Sequence, residues 1–426
     1  MKKLISIALS LTLVFAMLSG CSDPQGGSAE NSNSPAITSG TQMDGDSGQG
    51  EPHKIAVMFY SVASMQIAQM EYLGEYIGPA FNVEFVFSEA ITNNEAAIAF
   101  VENAASSGCE GLMMFASNMD EVVASTCERL GMYWIAANDT LVESLKDIPY
   151  YLGCVRHPME EVTNGFKLMM EDFVSDGKPH NAVIVTGGGG MGNTQHALCG
   201  RAALEVMEDV YDLTFDMDLD EMAYTNSAIE VGSDKGNKVY IYPGYPYVDT
   251  YVSGLSSVLQ TGEYDILITV FDVADMLATT VDEVERAFDF DVKVCTYVGV
   301  SEGVSNLFAT EDAFGNSALT AAEIRANNLQ PATMFVALYN AITGHADMVR
   351  PNGEPQAYDI PIWTCLNAEE YERVGILDMS PETYCMTVED MQDLLAVYNE
   401  SVTLDDIKAF TSASTVDVVY ERRGLE

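Results

Sequence analysis

Positive charge is what this 426-residue sequence has least of: 19 Lys and Arg stand against 64 Asp and Glu, a formal net charge of −45. Phosphate contacts need clustered basic side chains, so the balance argues against a nucleic-acid partner. It argues equally against docking on anionic lipid head groups. The surplus acid reads as a solvated, self-repelling surface. Histidine is scarce as well, with 5 residues and no Cys/His pair at metal-site spacing. A structural zinc is not expected. Of the 8 cysteines, Cys21 stands apart near the start, and the rest are widely scattered. That is no disulfide framework. Several sit in apolar runs such as Val294-Cys295-Thr296-Tyr297 and read as buried free thiols, with a single disulfide left open. The sequence holds no nucleophile elbow, no H-E-x-x-H and no lysine of phosphate-loop type after its glycine run. Catalysis therefore finds no support, and no cofactor and no metal are expected.

What is present begins with Met1-Lys2-Lys3, a basic start followed by an apolar run over residues 4–18. The run is too short for a comfortable membrane span. It ends in Leu18-Ser19-Gly20-Cys21. This resembles a bacterial lipoprotein signal peptide, residues 1–20, with its lipobox. The resemblance implies lipidation of Cys21, cleavage before it, and anchoring to the outer face of the cytoplasmic membrane. Residues 22–52 are rich in Ser, Gly, Asn, Gln, Asp and Pro. Such a segment buries too little to offset its ordering entropy, so residues 21–52 read as a flexible tether. Its mean reach is on the order of 30 Å.

From residue 53 on, short apolar strands alternate with amphipathic helices. Strands are expected at 55–60, 83–87, 112–115, 133–136 and 150–155, and again at 182–186, 239–242, 266–270 and 292–298. Near-continuous apolar strands between helices mean parallel sheets covered on both faces. Two such runs give an α/β chain of two doubly wound lobes. Thr387 with Asp390, and Thr403 with Asp406, have the spacing of capping boxes and predict two helix starts near the carboxyl end.

The run Thr186-Gly187-Gly188-Gly189-Gly190-Met191-Gly192-Asn193 contains G-x-G-x-x-G between a strand and a helix. In a polyglycine turn that match is cheap, and a turn that lets backbone approach a cleft is the preferred reading over a dinucleotide site.

The order of elements resembles the type I periplasmic binding protein family, the solute receptors of ABC transporters. The residues that carry it are Gly108-Cys109-Glu110-Gly111-Leu112, Gly131-Met132-Tyr133-Trp134-Ile135-Ala136-Ala137-Asn138-Asp139, Tyr264-Asp265-Ile266-Leu267-Ile268-Thr269-Val270-Phe271-Asp272 and Val292-Lys293-Val294-Cys295-Thr296-Tyr297-Val298-Gly299. It implies two doubly wound parallel-sheet lobes joined by a multi-strand hinge: 53–157 with 323–360, and 158–322 with 361–370. Residues 371–426 would be a helical extension beyond the family's usual end. The implied function is capture of a small polar solute, a sugar first, and delivery to an ABC permease. A nucleoside receptor of the basic-membrane-lipoprotein type, or a ligand sensor for a membrane kinase or chemoreceptor, is the alternative.

Ligands of open parallel sheets sit beyond the carboxyl ends of the strands. The first lobe would present Tyr60, Ser61, Asn118, Asn138 and Asp139. The second would present Asn193, Gln195, His196, Tyr245, Tyr247, Asp272 and Ser301, with Arg325 and Asn327 near the hinge. Aromatic faces with amides and carboxylates suit sugar hydroxyls. Each has a plainer role available. Tyr60 closes a strand into the core as readily, Asn138 and Asp139 suit a turn, and His196 suits a helix surface. Arg325 is scarce positive charge that could anchor a carboxylate or phosphate, although a salt bridge to one of many acids is the commoner fate.

Overall fold

The computed structural model describes residues 50–425, apart from 117, 139, 175–179, 190–193, 247 and 249. Cys21 and the expected signal segment lie outside the described residues, as do Asp139, Asn193 and Tyr247. Among the described residues, no helix is long and apolar enough to cross a membrane.

The first sheet is built from β1 (His53–Phe59), β2 (Val83–Ala90), β3 (Gly111–Phe115), β4 (Tyr133–Ala137), β5 (Tyr151–Arg156) and β12 (Gln356–Asp359). Its order is β12-β5-β4-β3-β1-β2, and every pairing is parallel. The second contains β6 (Ala182–Thr186), β7 (Ile229–Gly232), β8 (Lys238–Pro243), β9 (Ile266–Thr269), β10 (Lys293–Gly299), β11 (Ala321–Arg325) and β13 (Trp363–Cys365). Its order is β13-β11-β10-β9-β6-β8-β7, with only the two edge strands antiparallel. The centre of each sheet is largely apolar. The Ala-Val-Ile-Val-Thr run of β6 is buried at every position, as helices on both faces require.

The chain crosses between lobes three times, at 157–158, 326–328 and 360–362. β11 runs to Arg325 inside the second sheet, so the second crossing falls three residues beyond the expected boundary at 323. Gly153 makes the neighbouring register possible. Its φ is +120°, and a Cβ there would stand 1.8 Å from the Gln356 carbonyl oxygen on β12.

Helix Leu329–Asn340 carries the chain back to the first lobe. It is buried on nearly every side, with Phe335, Leu338 and Asn340 among its buried residues. One face lies on β3, β4 and β5, and the other meets the extension through helix Val388–Leu394. Two helices near the carboxyl end start where the sequence predicts. Thr387 and Thr403 each form a complete capping box, with Asp390 and Asp406.

This extension grips both lobes. On the second lobe, the Tyr371 hydroxyl donates to the Ser301 carbonyl at 2.9 Å and accepts from the Ser301 N–H at 3.0 Å. On the first lobe, the Tyr72 hydroxyl donates to the Met386 carbonyl at 2.6 Å. Asn340 donates to the Leu394 carbonyl and accepts from the Ala396 N–H. A buried Arg423–Asp390 ion pair ties its last helix to Thr387 and its neighbours. The seven cysteines from Cys109 to Cys385 are all free and buried, and burial pushes the Cys127, Cys295 and Cys365 thiols up to about 12. They pack as small hydrophobes.

Candidate functional site

Each sheet presents the carboxyl ends of its parallel strands toward the crossings, which is where a ligand of such a sheet sits. In the second lobe these ends gather one interlocked cluster. His196, near the start of helix Thr194–Tyr211, is buried and stacks on Phe271 beyond β9, ring centroids 5.1 Å apart. Tyr245, beyond β8, closes the third side of that aromatic group, 5.3 Å from Phe271. Its hydroxyl lies 3.2 Å from His196 Nδ1. Gln195 Nε2 donates to the Tyr297 hydroxyl at 3.1 Å. The Tyr297 ring lies under the Arg325 guanidinium, 5.0 Å from its centroid.

Electrostatics follow from that packing. Burial, reinforced by the Arg325 charge, lowers His196 to about 3, so its imidazole is neutral. His157, at the first crossing, falls to about 3 for the same two reasons. Its Nδ1 lies 3.1 Å from the Pro361 carbonyl, which can only accept, so the proton sits on Nδ1 and Nε2 presents a lone pair. Asp272, next in sequence to Phe271, is exposed. Desolvation by the surrounding protein first and Asp275 second raise its carboxyl, while Arg325 lowers it.

At the hinge three buried polar atoms have no hydrogen-bond partner among the described residues: Arg325 Nε, His157 Nε2 and Asn327 Oδ1. One is a donor and two are acceptors. Asn327 is held firmly, its Nδ2 donating to the Val300 carbonyl and its N–H to Asp378. Buried polar atoms are usually paired, so this group makes the hinge a candidate binding surface. The lobes touch at this point. A Cβ on Gly299 would stand 2.6 Å from Asn327 Oδ1 and 2.9 Å from Sδ of Met65, which belongs to the first lobe.

The first-lobe candidates are placed differently. Tyr60 packs partly into the core layer behind β1, and Ser61 beside it is half-buried. Asn118 is exposed in a left-handed turn, φ +62°. Asn138 donates to Asp120 at 2.7 Å and steadies its own loop. In the second lobe, Ser301 caps helix Glu302–Ala309 by accepting from the Val304 N–H at 3.3 Å. His196 departs from the helix-surface expectation, and Arg325 from the salt-bridge one: among the described residues no carboxylate oxygen lies within ion-pair distance of it.

Sequence reasoning missed His157, Phe271, Tyr297 and Met65. A histidine before proline at a strand end was the available signal for His157. Tyr297 had none, being one apolar residue among seven in β10.

A pocket of about 320 Å³ lies between helix Ala274–Phe288 and the loop around 310–318. Its Glu285 carboxylate accepts from the Val292 and Ala313 N–H groups, and Asp312 accepts from Phe314 and Asn316. These acids organise the loop.

Two facing doubly wound sheets, crossed three times, define the architecture. The chain has the type I periplasmic binding protein fold. Solved structures of that fold match it at low sequence identity. An ABC transporter solute binding protein from Bacillus halodurans C-125, with bound myo-inositol, has a TM-score of 0.54 at 15% identity, covering 77% of this chain and 99% of that one. A galactofuranose binding protein gives 0.52 at 12%, over 77% of this chain and 98% of that one. A twin-arginine translocation pathway signal protein from Burkholderia phytofirmans gives 0.56 at 12%, over 78% of this chain and 95% of that one. No protein-family model matches the sequence. No curated protein matches it. These matches leave more than one fifth of this chain uncovered.

Proposed function

We propose that this protein is an extracytoplasmic solute receptor. It captures a small polar ligand, a sugar or polyol, between its lobes by hinge closure and delivers it to an ABC permease. The observation that carries the reading is the hinge cluster: an aromatic frame from Phe271, Tyr245 and Tyr297 beside three unpartnered buried polar atoms. Aromatic faces take the apolar face of a sugar ring, and the polar atoms take its hydroxyls. The inositol and galactofuranose named for two structures of the same fold agree with that chemistry. Lipidation at Cys21 would hold the receptor at the outer membrane face, with the tether letting it reach a permease.

A thermal-shift and calorimetry panel of sugars, polyols, nucleosides, amino acids and carboxylates tests the reading. A ligand that binds only the folded state stabilises it by about 2.7 kcal/mol at a hundred times its Kd. Saturable binding of sugars or polyols is expected. Binding confined to nucleosides or amino acids would overturn the ligand class, and turnover of a bound compound would overturn the receptor. For the anchor, Cys21→Ser should release the protein from the membrane fraction into the medium. Retention of that variant in the membrane fraction would remove the anchor from the account.

A further inference from the structure

The ligand of the hinge cluster can be narrowed by asking why Arg325 is unpaired. Acids outnumber bases by more than three to one in this sequence. Most cations elsewhere find carboxylates, and Arg350, Lys408 and Arg422, which do not among the described residues, find backbone carbonyls or neutral side-chain oxygens. Arg156 pairs with Asp359 at 2.7 Å, Arg201 with Glu205 and Asp220, Lys238 with Glu230 and Glu263, and Arg423 with Asp390. Arg325 has none within 4.0 Å among the described residues, and its Nε is buried without an acceptor.

Its neighbours do not neutralise it. His157 and His196 are uncharged. Tyr297 offers a ring face, which supports a guanidinium but carries no net charge. Asp272 is the one acid whose charge is felt from nearby, and it lies outside ion-pair distance. The Tyr297 ring lies 5.0 Å from the guanidinium carbon and Nε has no acceptor among the described residues, so the group is open to a two-oxygen acceptor. A neutral hydroxyl could accept one hydrogen bond there and would leave the charge in place. A carboxylate or phosphate would accept two and cancel it. His157 Nε2 and Asn327 Oδ1 are acceptors only or in excess of acceptors, so they call for hydroxyl hydrogens.

We propose that the cleft is built for an anionic polyol, a sugar acid or sugar phosphate, whose acid group seats on Arg325 while its hydroxyls donate to His157 and Asn327. This rests on the receptor reading above and specifies its substrate class. An uncharged sugar would leave the half-buried guanidinium without a counter-charge, a mismatch that a binding site disfavours.

Matched pairs decide it, measured by calorimetry on the full-length chain: galactose with galacturonate, glucose with glucuronate, ribose with ribose 5-phosphate, and myo-inositol with inositol 1-phosphate. The acid member of at least one pair should bind roughly 10–100-fold more tightly than its neutral partner. The first two pairs report a carboxylate seat and the last two a phosphate seat. In Arg325→Gln, with folding checked by circular dichroism, the preference ratio should fall toward one. Neutral members binding as tightly as acids, or a ratio unchanged in Arg325→Gln, would overturn the anionic class and leave the receptor reading standing. Silence from both members of all four pairs would overturn both.

Discussion

The two faces of the cleft differ in what their polar groups are doing. On the first lobe, Asn138 is occupied by Asp120, Asn118 stands in solvent, and Tyr60 leans into the core. On the second lobe the groups brace one another, Gln195 to Tyr297 and His196 to Tyr245 and Phe271, around a cation with an unmet donor. A side chain already fixed by neighbours loses little freedom when a ligand arrives. On the receptor reading proposed above, the second lobe would be the pre-organised reader and the first the cover that closes over it.

The sharpest way to break this comparison is to stop the faces meeting. Gly299→Val would push side-chain atoms into Asn327 and Met65. Overpacking of this kind costs about 1–3 kcal/mol. Because the clash lies across the cleft, ligand affinity should fall roughly tenfold or more, and Met65→Ala in the same chain should restore part of it. Affinity that is unchanged would mean that the Met65 contact has no part in binding. Next in size is His196→Ala, which removes the ring stacked on Phe271. A weakening of about 0.5–1.5 kcal/mol in ligand binding is expected, read by calorimetry. The smallest effect belongs to the cover: Asn138→Ala should change affinity by less than about threefold while loosening its own loop. If Asn138→Ala weakens binding more than His196→Ala, the division of labour is wrong.

Acidity sharpens the same contrast. Both imidazoles that face Arg325 stay neutral down to about pH 3, so neither should add a step to affinity between pH 5 and 8. Asp378, which accepts from the Asn327 and Asn328 N–H groups, is different, because burial raises it to about 7. Its folded state binds a proton that the unfolded chain has released above about pH 4. Its contribution to stability is present at low pH and is lost as pH rises through 7. Asp378→Asn removes that loss. The melting temperature of the variant minus that of the parent should therefore increase from pH 4 to pH 7. A difference that stays flat or decreases would show that Asp378 is ionised in the folded protein throughout.

How much of this was legible in the sequence depended on how apolar each element is. The central strands announced themselves as apolar runs, and the two capping boxes were read to the residue. The strands that escaped are the ones with polar content. β12 reads Gln-Ala-Tyr-Asp, and β7 reads Ile-Glu-Val-Gly and is only partly buried. β11 carries Glu323, fully buried and raised far above its ordinary range by that burial, in the middle of Ala-Ala-Glu-Ile-Arg. A buried acid in an inner strand defeats hydrophobic patterning. The site was legible as a set of strand ends and not as a cluster. Arg325 could be singled out by scarcity alone, but its freedom from salt bridges depends on where 64 acids fall in space.

The extension that holds Ser301 on one lobe and Tyr72 on the other has a kinetic meaning. If opening the cleft stretches those bonds, the open form is expected to be a minor population even without ligand. Association then becomes gated. Its observed rate should level off at high ligand concentration, at the rate of opening, and a chain lacking residues 371–426 that still folds should take up ligand without that plateau.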